Sequence, residues 1–195
     1  NRPVLYLDFY EDDLGADAVI SNSFFGTYAL TNYLYECGHR KIGYVGTLGA
    51  TDSIADRYFG FCKSMMSHGL PVKPEWVLDD RDHETGMDIP IPFPEDGPTA
   101  YVCNCDYHAA RAVRELQEKG IRVPEDVSIV GFDDYIYPGL CDKGITTYSA
   151  NVPEMASVAM RMMIARLSGE AGRAGLQVTD GELVIRDTVR KLIEE

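Results

Sequence analysis

Short apolar runs alternate with segments whose apolar residues recur every three or four positions along most of the chain. Residues 4–7 and 18–20 read as strands separated by a polar loop at 11–17, and a helix follows, capped by Asn22 or Ser23 and closed by Gly38. In that helix Phe25, Tyr28, Ala29, Asn32, Tyr33 and Cys37 trace the expected buried stripe. The same logic predicts strands at 41–45, 75–78, 99–103, 127–130, 145–149 and 183–185, and helices at 54–68, 106–119 and 153–167. Pro90, Pro92, Pro94 and Pro98 exclude a helix through 89–98, and the Gly-rich polar stretch 168–181 reads as a surface connection. Strands alternating with amphipathic helices predict an α/β fold, a parallel open sheet with helices on both faces.

Composition narrows this picture. The 195 residues are 45% hydrophobic, enough for one packed domain or two small lobes. No run approaches the ~18 apolar residues of a membrane span, and no basic start leads into an apolar stretch, so no membrane partner and no export signal are expected. Cysteines at 37, 62, 103, 105 and 141, odd in number and scattered, suggest reduced thiols and a cytoplasmic home. With 31 acidic against 18 basic residues the formal charge is −13, which opposes direct contact with nucleic-acid phosphates.

In a parallel open sheet the ligand crevice lies beyond the carboxyl ends of the strands. That criterion selects the loop 46–53 with Thr51 and Ser53, then Arg57 one helical turn later, and Asp133 and Asp134 after strand 127–130. Hydroxyls, a guanidinium fork and a carboxylate around one crevice suit a polyhydroxylated ligand. The alternative is that Asp133 and Arg57 pair with each other or cap neighbouring turns. Adjacent residues of an extended segment point to opposite sides, so Asp133 and Asp134 do not converge on one substrate atom. The loop 46–49 lacks the lysine and spacing of a phosphate loop, no cysteine or histidine pair has zinc spacing, and no nucleophile elbow appears. No cofactor, metal or catalytic residue is expected.

The ordered stretches "PVLYLD", "ECGHRKIGYVGT", "ADRYFGF", "PTAYVCNCDYHAARAVRELQEKGIRVPEDVSIVGFDD", "ITTYSAN" and "LVIRDT" resemble the effector-binding core of LacI/GalR-type bacterial transcriptional regulators over nearly the whole chain. The resemblance implies a periplasmic-binding-protein-like fold: two lobes joined by crossing strands, with a small effector between them. It places 1–18 and 148–195 in a partial N-terminal lobe and 19–147 in a complete C-terminal lobe. The family's DNA-binding helix-turn-helix is not in this chain, so operator DNA is expected as a partner only through a segment outside it, in a cytoplasmic homodimer. It implies effector contacts from Asp133, Arg57, Ser53 and Thr51, and a structural role for Asp134. The alternative is a solute-binding protein of a sugar transporter.

Departures from the family pattern fall at candidate ligand positions. Arg81 stands where many relatives have a stacking aromatic, Cys105 where many have Asn, and Ala150 where many have Gln. Arg81 either meets a carboxylate or phosphate of the effector, a sugar derivative that is then anionic, or pairs with Asp79, Asp80 or Asp82. The proline run 90–98 replaces a helix that in relatives contributes to the dimer contact.

Overall fold

Ile42 and Tyr44 pack with Leu30, Leu34, Phe61, Val130 and Phe132, whereas Val45 packs with Ile91, Tyr101, Val113 and Ile129. This period-two division is what a strand buried on both faces requires. The computed structural model describes residues 3–10, 16–135, 138–169 and 175–192. Its larger sheet has six strands in the order β4-β3-β5-β6-β7-β9, formed by β3 (Ile42–Val45), β4 (Val77–Leu78), β5 (Ala100–Cys103), β6 (Ser128–Asp133), β7 (Thr146–Ser149) and β9 (Glu182–Val184). All pair in parallel except β9, which runs antiparallel to β7. Helices α1 (Ser23–Glu36) and α2 (Asp52–Ser67) cover one face, and α3 (Asp106–Glu118) covers the other. The smaller sheet, β1 (Leu5–Leu7), β2 (Asp17–Ser21) and β8 (Leu176–Thr179), is parallel and carries α4 (Val152–Leu167).

The chain therefore passes between the sheets three times, at Ser21-Asn22, at Ser149 to Asn151 and at Thr179 to Gly181. Asn22 ties two of these passages together, its Nδ2 donating to Asp180 Oδ1 at 2.7 Å and its backbone N–H to Thr179 O at 2.9 Å.

Several expectations need correction. The connection at 168–181 contains β8: Leu176-Gln177-Val178-Thr179 has one buried side chain of four, so its sequence looks like loop, and it is a strand because β2 offers a parallel edge. Residues 170–174 of that stretch and 11–15 of the loop expected at 11–17 lie outside the described residues. The strand expected at 75–78 opens as a 3₁₀ turn, Pro74–Trp76, nucleated by proline at its first position. β2 stays in the smaller sheet through Ser21, and Glu182 onward returns to the larger one, where β9 pairs with β7. The tail is bonded there: Ile129 N–H donates to Thr188 O at 2.8 Å, Arg190 N–H to Ser128 Oγ at 3.1 Å and Leu192 N–H to Cys37 O at 2.7 Å.

Helix α1 buries Ser23, Gly26, Thr27, Leu30, Thr31 and Leu34, not the stripe through Phe25, which is half exposed. Close packing explains the choice of face. A Cβ on Gly26 would run into the Phe132 and Tyr148 rings, and one on Gly60 of α2 into the backbone of Phe24, so small residues are needed where larger apolar ones would fit the pattern equally well.

Candidate functional site

The last residue of β6 and the one after it both have positive φ, Asp133 at 99° and Asp134 at 59°, a conformation that costs a non-glycine residue roughly 1–2 kcal/mol. Each carboxylate is held. Asp133 Oδ1 accepts from Arg57 Nη2 at 3.0 Å, and Asp134 Oδ1 accepts from Arg186 Nη2 at 2.5 Å. The tight turn thus sends neighbouring carboxylates to different arginines, and Asp134 takes no part in the crevice pair.

Arg57 reaches the crevice because α2 starts just after β3. Thr51 caps the helix, its Oγ1 accepting from Ile54 N–H at 3.2 Å, and Arg57 lies one and a half turns further on. The residue is buried, with 7% of its surface exposed. Nε donates to Ser23 Oγ at 3.3 Å, Nη1 to the Asn104 carbonyl at 2.6 Å and Nη2 to Asp133, while the group lies 3.9 Å over the Phe132 ring. Sequence reasoning left open whether Arg57 and Asp133 face a ligand or each other. They pair, and the Asp133 side chain is still 35% exposed. Burial raises the Asp133 carboxyl above its ordinary range, the Arg57 charge opposes that shift, and Asp8 at the end of β1 reinforces it. Asp8 is itself left-handed and accepts from Ser21 Oγ at 3.2 Å, so the smaller sheet contributes a carboxylate to the same electrostatic neighbourhood.

Asn104 carries the network onward. Its carbonyl takes the Arg57 bond and its side-chain Nδ2 donates to Asp80 Oδ2. Asp80 is fully buried and also accepts from Arg81 Nε at 2.9 Å and Thr47 N–H at 3.2 Å, with His108 Nδ1 at 3.2 Å from its second oxygen. Burial alone would raise this carboxyl, but the Arg81 bond and the other donors outweigh it and hold it below the ordinary range, so it is ionised. Burial holds His108 below its ordinary range, which favours the neutral imidazole. Arg81 therefore pairs with buried Asp80 rather than with surface carboxylates, and its side chain stays 23% exposed beside a 410 Å³ cavity lined by residues 47–50 and 82–86.

Of the sequence candidates, Arg57, Asp133 and Cys105 come together, and Arg81 joins them through Asn104 and Asp80. Cys105, the N-cap residue of α3, lies 3.2 Å from His108 Nδ1, and burial pushes its thiol up to about 11, which keeps it protonated at neutral pH. Thr51 and Ser53 sit in the first turn of α2, Thr51 exposed and Ser53 half-buried, and Thr51 is engaged as a cap. Ser23, Phe132, Asn104 and Asp8 were missed, and Asp80 was foreseen only as one of three possible partners of Arg81. Its burial was not foreseen, because a run of acidic residues reads as a solvated loop. Asn104 had a visible signal, since it directly follows β5, the position that selects crevice residues.

A family model described as a periplasmic binding protein-like domain matches residues 31–189. The chain is 33% identical over 198 residues to an HTH-type transcriptional repressor PurR of Actinobacillus pleuropneumoniae serotype 3 (strain JL03), and the match covers 98% of this chain and 59% of that repressor. It thus spans somewhat more than half the length of the curated relatives it matches. A LacI transcriptional regulator from a Rhodococcus species superposes with a TM-score of 0.79 at 29% identity, covering 97% of this chain and 70% of that one. A LacI family transcriptional regulator from Enterococcus faecium with bound ribose shares the fold, with a TM-score of 0.76 at 20% identity, covering 98% and 72%.

Proposed function

This chain belongs to the periplasmic binding protein-like domain family, in the branch of LacI-type transcriptional regulators, and we propose that it senses a small polyhydroxylated effector bound between its two sheets. The observation that carries this reading is the continuous run Asp133–Arg57–Asn104–Asp80–Arg81, built from the carboxyl ends of β6, β5 and β4 and from α2. On this reading β1, β2, α4 and β8 belong to one lobe and the remaining elements to the other. The three passages of the chain between sheets act as the hinge. The effector closes the lobes, and the closed state shifts the population of DNA-bound homodimer in the intact cytoplasmic protein, through a DNA-binding segment outside this chain. The domain carries out no reaction.

The charge balance favours a neutral ligand over the anionic sugar derivative that two uncompensated arginines would have implied. Each guanidinium already has its carboxylate, Arg57 with Asp133 and Arg81 with Asp80, and Asp8 adds a further negative charge. A sugar or other polyol can donate to the Asp133 oxygen that has no partner among the described residues, and accept from the remaining guanidinium hydrogens, without a net charge of its own.

The test is a thermal-shift screen of sugars, sugar phosphates, sugar acids and purines, beginning with ribose, on wild type and Asp133→Asn. Asparagine tolerates the left-handed backbone, so the substitution removes the acceptor charge and leaves the turn intact. Stabilisation by a neutral sugar that falls at least about tenfold in apparent affinity in Asp133→Asn supports the reading. A ligand bound equally by both proteins, or one that is chemically altered, refutes it.

A further inference from the structure

Arg81 uses only one edge of its guanidinium. Nε is fixed to Asp80, while Nη1 and Nη2 make no hydrogen bond among the described residues. Asp80 is not a mobile surface partner. It is 0% exposed and is fixed in turn by Thr47 N–H and Asn104 Nδ2, and Thr47 Oγ1 accepts from the backbone N–H of both Asp80 and Arg81. The guanidinium plane is therefore set before any ligand arrives, with its two terminal nitrogens at the partly exposed end.

The charges around that end are not those of an anion site. Asp80 cancels the Arg81 charge at 2.9 Å, and Asp82 and Glu84 line the same cavity. Asp82 Oδ1 is occupied by Thr85 N–H at 2.7 Å, Thr85 Oγ1 at 2.8 Å and Glu84 N–H at 3.1 Å, which keeps its carboxylate ionised in place. An incoming phosphate or carboxylate would meet donor hydrogens but no net positive potential.

We propose that Asp80 and Arg81 form the specificity element of the crevice: Asp80 positions and neutralises Arg81, whose free Nη edge reads two adjacent oxygens of a neutral ligand and rejects phosphorylated or carboxylated forms. This rests on the effector-site reading above and names its ligand class more narrowly. Vicinal hydroxyls, or a hydroxyl beside a ring oxygen, present two acceptors at the spacing of the fork.

The experiment uses inorganic phosphate as probe and thermal unfolding of the intact protein as readout, against chloride at matched ionic strength. Wild type is expected to show no phosphate-specific shift at about 10 mM. Asp80→Asn unmasks the Arg81 charge and is expected to gain about 3 °C, and the double variant Asp80→Asn/Arg81→Ala loses that gain. A merely structural Asp80 would destabilise the protein without creating a phosphate response. The proposal is overturned if wild type responds to phosphate and Arg81→Ala abolishes the response, or if folded Asp80→Asn shows none. Should Asp80→Asn not fold, the wild-type and Arg81→Ala arms decide alone. Loss of neutral-sugar binding in Asp133→Asn is scored separately, so a failed specificity element is distinguishable from a failed effector site.

Discussion

Asp80 and Asp106 are both buried aspartates at the carboxyl end of the six-stranded sheet, with 0% and 3% exposure, and the protein treats them oppositely. Asp80 meets Arg81, Asn104, Thr47 N–H and His108, and it stays ionised. Asp106, the first residue of α3, receives one backbone bond, from Tyr135 N–H to Oδ2 at 2.9 Å. Its Oδ1 and the nearby Thr147 Oγ1 are buried without hydrogen-bond partners among the described residues. Burial, with Asp133 and Asp134 adding to it, outweighs the nearby Thr147 hydroxyl and the Tyr135 N–H and pushes the Asp106 carboxyl up to about 7. Burial alone does not set the charge state of a carboxyl; the number of donors aimed at it does.

The largest effect expected from this contrast is at Asp80. Asp80→Ala strands Arg81 and removes the acceptor for Asn104 and Thr47 N–H in a dry setting, so it should cost about 3–5 kcal/mol in urea unfolding. A loss under about 1 kcal/mol would mean that water replaces the carboxylate and that the network does not hold the site. Next comes Gly131, in the middle of β6. A Cβ there collides with Asp106 Oδ1 and comes within 3.1 Å of Ala109 Cβ, so Gly131→Ala should cost about 2–3 kcal/mol. In a double-mutant cycle with Asp106→Ala much of that cost should disappear. Full additivity would show that the glycine is needed for the strand backbone rather than for room beside Asp106.

The contrast also marks what a sequence can reveal. The strands β3, β5 and β6 were visible because burial on both faces leaves continuous apolar runs, and Arg57 and Asp133 because they follow strands. β8 was not visible, since three of its four side chains are not buried and its strand character comes from a partner 158 residues away in sequence. The buried face of α1 was misread because Gly26, Ser23 and Thr27 are chosen for closeness of approach, which hydropathy does not record. Asp80 and Asp106 look alike on paper. Only the spatial arrangement of Arg81, Asn104 and His108 around one, and of Thr147 and the Asp133-Asp134 turn around the other, separates them.

The same contrast predicts a pH dependence at Asp106. The folded-state value lies near 7 and the ordinary value is 3.8, so between those limits the unfolded chain has released the proton that the folded protein still holds. Unfolding is therefore increasingly favoured as pH rises from about 4 to about 7, and above 7 the folded state bears a buried charge. Asp106→Asn imitates the protonated acid, since its oxygen can accept from Tyr135 N–H and its amide can donate to Thr147 Oγ1, and it carries no titratable proton. Other groups titrate in this range: His39, fully buried between Thr99 and Arg190 and lowered to about 4 by burial, stays neutral in the folded protein while the unfolded chain takes up a proton below the ordinary 6.5, so stability falls as pH drops from 6.5 toward 4. The informative quantity is accordingly the difference between Asp106→Asn and wild type, in which the His39 contribution cancels. That difference in urea stability should move steadily toward the variant as pH rises from about 4 to about 7 and level off above it. A difference that stays flat across the range would mean that Asp106 is ionised throughout, that Thr147 supplies the donor it needs, and that the two buried aspartates are held in the same way after all.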